Sequence, residues 1–203
     1  MAQHGKVGAV YAPDSTSGSS VTGETFSGDD STVTFTLVNE YVKPYTETVT
    51  IDGTEQQRGT DYTINYITGD ITFETAPASG TDNISVDYSY FTMNEVGGFF
   101  NWTVNENADT QEATTFASNG EREYVAGLKD WDGSATKYWK STKQFHDFIG
   151  EDVVLAFYID EGNSIRYEGW GVLTGASVDT AVDSLVEESI DIQGSHTLTY
   201  RSS

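Results

Sequence analysis

The sequence predicts an all-β protein: an antiparallel β-sandwich with one short flanking helix and a small inserted β module. Apolar residues alternate with threonines at Val33, Phe35 and Leu37, which is the period-two pattern of a half-buried strand. Similar runs recur about every ten residues. Turn sequences such as Asp52-Gly53 and Pro77-Ala78-Ser79-Gly80 separate them. Short strands and turns at this regular spacing are typical of a sandwich.

Residues 32–91 are predicted to form the small β module, because the alternation continues through them. After the first strand, the pattern recurs at Val49/Ile51, Tyr62/Ile64/Tyr66, Ile71/Phe73 and Ile84/Val86/Tyr88/Tyr90.

Residues 1–31 are predicted to be an N-terminal arm and linker. The segment from Pro13 to Ser20 has the composition of a linker, and Ser27–Ser31 is typical of a turn. A short strand is expected before them, over Val7–Tyr11.

Residues 92–203 are predicted to form the larger sandwich. Val153–Ile159 is a nearly continuous apolar run, which predicts a strand buried on both faces. A helix is expected near 142–149, because Phe145, Phe148 and Ile149 fall at i, i+3 and i+4 and Gly150 follows. Further strands are expected at Phe99–Trp102, Tyr124–Leu128, Ile165–Leu173, Val182–Ile192 and Thr197–Tyr200, with a turn at Asp132-Gly133-Ser134.

The charge balance restricts the function. Acidic residues number 32 and basic residues 10, giving a net charge of -22, while 13% of residues are aromatic, which argues against disorder. The acids are scattered along the chain, which favours a surface adapted to molar salt, where the Debye length is about 3 Å. A merely acidic mesophilic protein is the alternative. So few cations argue against DNA binding, although a negative wall would let DNA slide past.

The residues predict no catalytic, cofactor or metal site, and the protein is not expected to be an enzyme. The chain has no Cys, and His4, His146 and His196 lack the spacing of metal ligands. Asp130-Trp131-Asp132-Gly133 begins like a calcium loop but lacks the later ligands, so a turn is expected there. Carboxylate pairs such as Asp29-Asp30 and Glu187-Glu188 are expected by chance among so many acids.

Several short segments follow one another in a particular order in residues 95–201. They are Phe99-Phe100-Asn101-Trp102, Ala113-Thr114-Thr115-Phe116, Val125-Ala126-Gly127-Leu128, Asp132-Gly133-Ser134, the short helix before Val153-Val154-Leu155, Arg166–Leu173 and Asp191-Ile192-Gln193-Gly194. Their order resembles the tail-tube (major tail) proteins of long-tailed phages and archaeal tailed viruses. The segment from Gly59 to Pro77 also resembles a small β module common in virion proteins.

The resemblance implies a structural virion protein of hexameric rings, which stack into a tube for DNA ejection. Each subunit would contribute strands to an intersubunit β-barrel, and DNA would pass through the lumen without specific binding. The implied partners are further copies of the chain, the tail terminator, the tape measure and the baseplate. We expect assembly in the host cytoplasm, a haloarchaeal host and no membrane insertion, and we expect Ala2–Gly23 to order against a neighbouring ring.

Other interpretations remain open at the level of sequence. One is an extracellular carbohydrate-binding β-sandwich module of a halophile, with tryptophans as sugar platforms (Trp102, Trp131, Trp139 and Trp170). Another is a different virion ring protein, such as a tail terminator or a baseplate ring.

Overall fold

The computed structural model describes residues 8–139 and 145–202, which fold into two compact units. Unit 1 comprises Met1–Ala12 and Glu95–Ser203 within the described residues, and unit 2 comprises Pro13–Asn94. The all-β prediction is confirmed, since regular structure in these ranges is strand apart from one 3₁₀ turn. The strands are β1 Ala9–Pro13, β2 Ser19–Phe26, β3 Thr34–Thr36, β4 Thr48–Ile51, β5 Thr54–Glu55, β6 Tyr62–Asn65, β7 Asp70–Phe73, β8 Ile84–Tyr90, β9 Met93–Glu95, β10 Phe99–Glu112, β11 Tyr124–Tyr138, β12 Asp152–Asp160, β13 Ile165–Asp179, β14 Glu187–Gly194 and β15 Thr199–Arg201.

Unit 1 is built on a curled eight-stranded sheet. The strand order is β10-β11-β14-β13-β12-β1-β9. Strand β15 pairs with Arg166–Glu168 of β13, a part of β13 that does not pair with β14. The predicted buried strand is confirmed, because Val153 to Phe157 in β12 are all buried. Of these residues, Val153, Leu155 and Phe157 pack in one apolar core with Val10, Trp131 and Ile192.

Unit 2 contains a four-stranded sheet, β2-β8-β4-β5, and a three-stranded sheet, β3-β7-β6. The alternations predicted as strands fall in β3, β4, β6, β7 and β8. Many of their apolar positions are buried, among them Val49, Tyr62, Phe73 and Val86, whereas Val33 is 38% exposed. Residues 32–91 therefore supply most of this unit.

The N-terminal residues form strands rather than the predicted arm and linker. In β1, Ala9, Val10 and Tyr11 pair with β12 of the same chain, and β2 pairs with β8. Buried Val10 and Ala12 hold β1 in the core of unit 1, and β2 is rich in Val, Thr and Phe, which favour strands. The expected contact of Ala2–Gly23 with a neighbouring ring stays a prediction, and residues 2–7 lie outside the described residues.

The predicted flanking helix is corrected to one 3₁₀ turn, His146–Phe148, and residues 142–144 lie outside the described residues. The turn ends because Ile149 takes an extended conformation (φ -63, ψ 126) and forms a parallel bridge with Leu173. Phe145 and Phe148 are both buried, so core packing rather than helical periodicity explains their spacing.

The predicted turn at Asp132-Gly133-Ser134 is wrong, because these residues lie inside β11. Gly133 pairs with Val104 on one side and Ile192 on the other. A Cβ atom there would lie 3.0 Å from Cγ2 of Ile192, so this glycine permits close packing within the sheet.

Substituting Gly194 tests the packing around Trp131. The Trp131 indole N–H donates to the carbonyl of His196 (2.8 Å), and a Cβ atom on Gly194 would overlap with the indole ring. We expect Gly194→Ala to lower the free energy of unfolding by about 1–3 kcal/mol through overpacking, measured by urea denaturation. Gly162→Ala is the matched control, because its Cβ would meet only Asp160 Oδ1, at 3.5 Å. Equal stability of the two variants would contradict this packing.

Buried tyrosines in unit 2 predict loss of stability at alkaline pH. Burial and the carboxylate acceptors raise the pKa of Tyr66 and of Tyr88 to about 12. Tyr66 donates to Glu47 (3.0 Å), and Tyr88 donates to Glu24 (2.6 Å). Because the folded-state pKa exceeds the ordinary value of 10.0, this stabilisation is complete below pH 10 and is lost as the pH rises towards 12.

We therefore expect the unfolding free energy to fall steeply above pH 10, and to fall less steeply in Tyr88→Phe. Urea denaturation at a series of pH values measures both slopes. An unchanged slope in Tyr88→Phe would contradict the assignment.

Candidate assembly surfaces

A two-stranded ribbon extends from the sheet of unit 1. Strand β11 pairs with β14 only from Asp132 to Tyr138, so residues 124–131 pair with β10 alone among the described residues. We call residues 106–131, with their connecting loop, the ribbon. Its paired part is about 23 Å long at 3.3 Å per residue. Apart from Ser118, residues 105–130 are exposed. An isolated two-stranded hairpin is at best marginally stable in water, so this segment would gain from a partner.

The ribbon carries apolar side chains that nothing covers in the monomer. Phe116, in the loop at the tip, is fully exposed (111%), and Leu128 is 84% exposed. Tyr124 and Val125 are also more than half exposed. Contiguous exposed apolar patches mark interaction sites, and these four side chains lie within one hairpin and its loop.

A second set of exposed apolar side chains lies at the opposite end of the same sheet, where β10 and β14 begin and β11 and β13 end. We call this set the rim. The Phe100 and Tyr138 rings pack together there, with centroids 4.6 Å apart. The rim consists of Phe100, Tyr138, Trp139, Val178, Val182 and Leu185. Strand β11 is about 50 Å long by strand geometry. Unit 1 therefore has two separate apolar surfaces, the ribbon at one end of this strand and the rim at the other.

A cleft of about 350 Å³ opens where the ribbon leaves the sheet. After Gly194 the chain turns away from β11, because the Ser195 N–H donates to the carbonyl of Trp170 (3.0 Å). Trp131 and Leu198 supply the apolar part of the lining. The polar part comes from Glu106, Lys129, Asp130, Ser195, His196 and Thr197.

Charged side chains inside unit 1 are engaged with each other. Lys137 and Glu188 are directly opposite in the β11–β14 register, are 1% and 2% exposed, and form a 2.9 Å ion pair. The Phe145 N–H also donates to Glu188, at 3.1 Å. In a second cluster, buried Glu168 binds Arg166 (2.8 Å) and Arg201. These arrangements neutralise buried charge, so we assign them to the fold.

The residues considered as sites in the sequence are dispersed. His146 is exposed beside Asp147 (2.9 Å), the carbonyl of His196 accepts from Trp131, and His4 lies outside the described residues. Asp132 lies in β11, not in a calcium loop, and accepts from Asn105 and Asn107. Over residues 8–139 and 145–202, no group of three or more His, Cys, Asp or Glu side chains is placed to hold a metal ion.

The tryptophans do not form a sugar platform. Trp131 and Trp170 are buried, and Trp102 is partly buried against Phe157, with ring centroids 5.5 Å apart. Trp139 is 43% exposed and belongs to the rim. Their main role is therefore packing.

In the described part of the chain, none of the helical structure is both long enough and apolar enough to traverse a lipid bilayer.

No family model matches the chain. An uncharacterized protein of Methanocaldococcus jannaschii is 34% identical over 107 residues, which are 51% of this chain, and the chain spans 45% of that relative's length. One similar solved structure is a chain in the tail of an empty gene transfer agent particle, described with C6 symmetry. It is 16% identical to this chain with a TM-score of 0.45, and the match covers 54% of this chain and 87% of that chain. A chain in the virion of a native gene transfer agent is 15% identical to this chain with a TM-score of 0.44. That match covers 54% of this chain and 89% of the other. Likenesses with TM-scores below 0.5 assign no function by themselves.

Proposed function

We propose that this protein is a non-enzymatic structural subunit of a virion tail tube, and that its function is self-assembly. One observation carries the proposal: the sheet of unit 1 exposes two different apolar surfaces, the ribbon and the rim, at opposite ends. Two unlike surfaces on one molecule suit head-to-tail contacts between copies. Such contacts close into rings or extend into filaments.

The open edges of the sheet support the same proposal. Strand β10 ends the strand order of unit 1 and is 14 residues long. A long open edge favours uncontrolled pairing unless another strand covers it. Closing the sheets of six copies into one intersubunit barrel, as the resemblance to tail-tube proteins implies, would cover these edges.

The charge of the chain suits a conduit for DNA. With a net charge of -22, the wall of a tube would repel the phosphate backbone, so DNA would pass without being held. We propose a lumen of net negative charge, a host that lives in high salt, and contacts with terminator, tape-measure and baseplate proteins in the virion. A reconstruction with Lys and Arg in excess on the lumen wall would overturn the electrostatic part.

Light scattering of the purified protein in molar salt, over a series of concentrations, tests self-assembly. We expect the mass to rise with concentration far above the 22.2 kDa of one chain. A mass that stops at one ring would favour a terminator or baseplate ring instead. A monomer at every concentration would contradict the proposal, and glycan binding would then be the next property to measure.

A further inference from the structure

We propose that unit 2 carries a binding site for a neutral saccharide, centred on the exposed ring of Tyr45. In this site a sugar ring stacks on the Tyr45 ring, and Arg58 donates hydrogen bonds to the sugar hydroxyls. Glu47 and Tyr66 hold these two side chains in place, and we call the four residues the tyrosine cluster. The inference goes beyond assembly, because the cluster lies in unit 2 whereas the ribbon and the rim lie in unit 1.

Tyr45 occupies a backbone position that suits glycine better than tyrosine. The Thr46 N–H donates to the carbonyl of Lys43 (3.3 Å), which closes a turn with Pro44 and Tyr45 at its centre. Tyr45 has a φ of 65°, in the left-handed region, where Gly and Asn are favoured and a bulky side chain is not. Its side chain is 63% exposed, so burial in a core does not compensate for this strain. A strained residue whose side chain faces solvent indicates a functional site.

Two neighbouring side chains hold the Tyr45 ring in one orientation. The guanidinium carbon of Arg58 lies 4.1 Å from the centre of the ring, within the range of a cation–π contact. The Tyr66 ring meets the Tyr45 ring edge to face, with centroids 5.9 Å apart. The Tyr45 N–H also donates to the Tyr66 hydroxyl (3.3 Å). A ring that is already fixed loses little conformational freedom when a ligand covers it.

A buried carboxylate in turn fixes Arg58 and Tyr66. The Glu47 side chain is 2% exposed, and its Oε1 atom lies 3.6 Å from Nε of Arg58. The Tyr66 hydroxyl donates to Glu47 (3.0 Å) and accepts from Nη1 of Arg58 (2.8 Å). Oε2 of Glu47 is buried without a hydrogen-bond partner among the described residues, which is a second cost to the fold at the same place. Arg58 has five N–H donors and is 40% exposed, so donors remain for a ligand.

The charges around the tyrosine cluster favour a neutral ligand. Unit 2 contains 13 acidic residues and two basic ones, Lys43 and Arg58, so a nucleic acid or another polyanion is repelled. A cationic ligand is disfavoured as well, because the Arg58 guanidinium already stacks on the Tyr45 ring. A sugar ring offers a face of C–H groups for stacking and hydroxyl groups for Arg58, and it needs no charge.

Saturation-transfer NMR of the full chain in molar salt tests the site. The probes are the methyl glycosides of glucose, galactose, mannose and N-acetylglucosamine. We expect the C–H protons on one face of at least one of these sugars to receive saturation, as stacking on Tyr45 requires. A single-stranded oligothymidylate is the polyanion control and should receive none. If none of the four sugars receives saturation, the inference is wrong.

Substitutions at Tyr45 separate binding from folding. Tyr45→Gly and Tyr45→Asn both remove the ring and suit the left-handed backbone. We expect each to bind the sugar at least about tenfold more weakly, with a urea midpoint close to that of the wild type. Tyr45→Phe keeps the ring and should keep binding. The matched control is Val38→Ala, at a side chain of unit 2 that is 84% exposed, and it should bind as the wild type does.

The outcomes separate this site from the proposed function, because light scattering measures assembly independently. Saturation that persists without the Tyr45 ring, or that Val38→Ala removes, overturns the site. Saturation of the oligothymidylate also overturns it, and so does a large loss of stability in both ring-free variants, which would assign the ring to the fold. Loss of assembly in Tyr45→Gly overturns it in favour of a contact between copies. A wild type that binds sugar but stays monomeric supports the site and contradicts the tail-tube function.

Discussion

Replacing Asp109–Leu128 by a two-residue Asn-Gly turn is expected to abolish assembly while unit 1 stays folded. Ala108 and Lys129 are paired in the β10–β11 register, so a tight turn closes the shortened hairpin at that point. The deleted residues are exposed apart from Ser118, and the core cluster contains none of them. We therefore expect a monomer by light scattering, with a melting temperature within a few degrees of the wild type.

The point variant Phe116→Asp provides the full-length comparison for this deletion. It keeps both strands and changes only the exposed aromatic side chain. We therefore expect weaker assembly and an unchanged free energy of unfolding. Val38→Asp, at an exposed valine of unit 2, serves as its matched control. Assembly of the shortened chain at the wild-type concentration would contradict a role for the ribbon.

Breaking the buried ion pair is expected to have the largest effect on stability. Lys137→Met leaves the Glu188 carboxylate buried without its cation, and such a change typically costs about 3–5 kcal/mol. The Phe145 N–H, 3.1 Å from Glu188, does not replace the lost charge. With a typical total stability of about 5–15 kcal/mol, a loss of this size should be evident in urea denaturation.

The double variant Lys137→Met/Glu188→Gln shows whether the charge is the cause. Glutamine is neutral and keeps an acceptor oxygen for the Phe145 N–H, so most of the lost stability should return. Under the alternative, in which Lys137 contributes only packing, the double variant would be no more stable than Lys137→Met.

Patterns of burial explain which strands were predictable from the sequence. The apolar run in β12 and the alternations of unit 2 reflect faces buried within the chain itself. Strand β2 was harder to predict, because the Ser-rich segment before it extends into its first two residues, Ser19 and Ser20, and an exposed strand needs few apolar residues. Asp132-Gly133-Ser134 is typical of a turn in the sequence, but Gly133 meets a packing requirement in the sheet that only the neighbouring Ile192 reveals.

The candidate surfaces were harder to predict, because exposure is a property of the fold. Residues 105–112 are almost entirely polar, and such a run normally indicates a loop. They form a strand since β11 supplies the hydrogen-bonding partner over its whole length. One signal was available in the sequence: Phe116 is a lone aromatic residue in an otherwise small and polar stretch. The cleft needs residues from both β11 and the turn after β14, which sequence spacing alone does not bring together.

Electron microscopy of the purified full-length protein in molar salt tests the central claim most directly. The proposal predicts hollow tubes or six-fold rings in the wild type, and single particles without rings in the chain that lacks Asp109–Leu128. Wild-type images that contain only monomers at high concentration would contradict a tail-tube function.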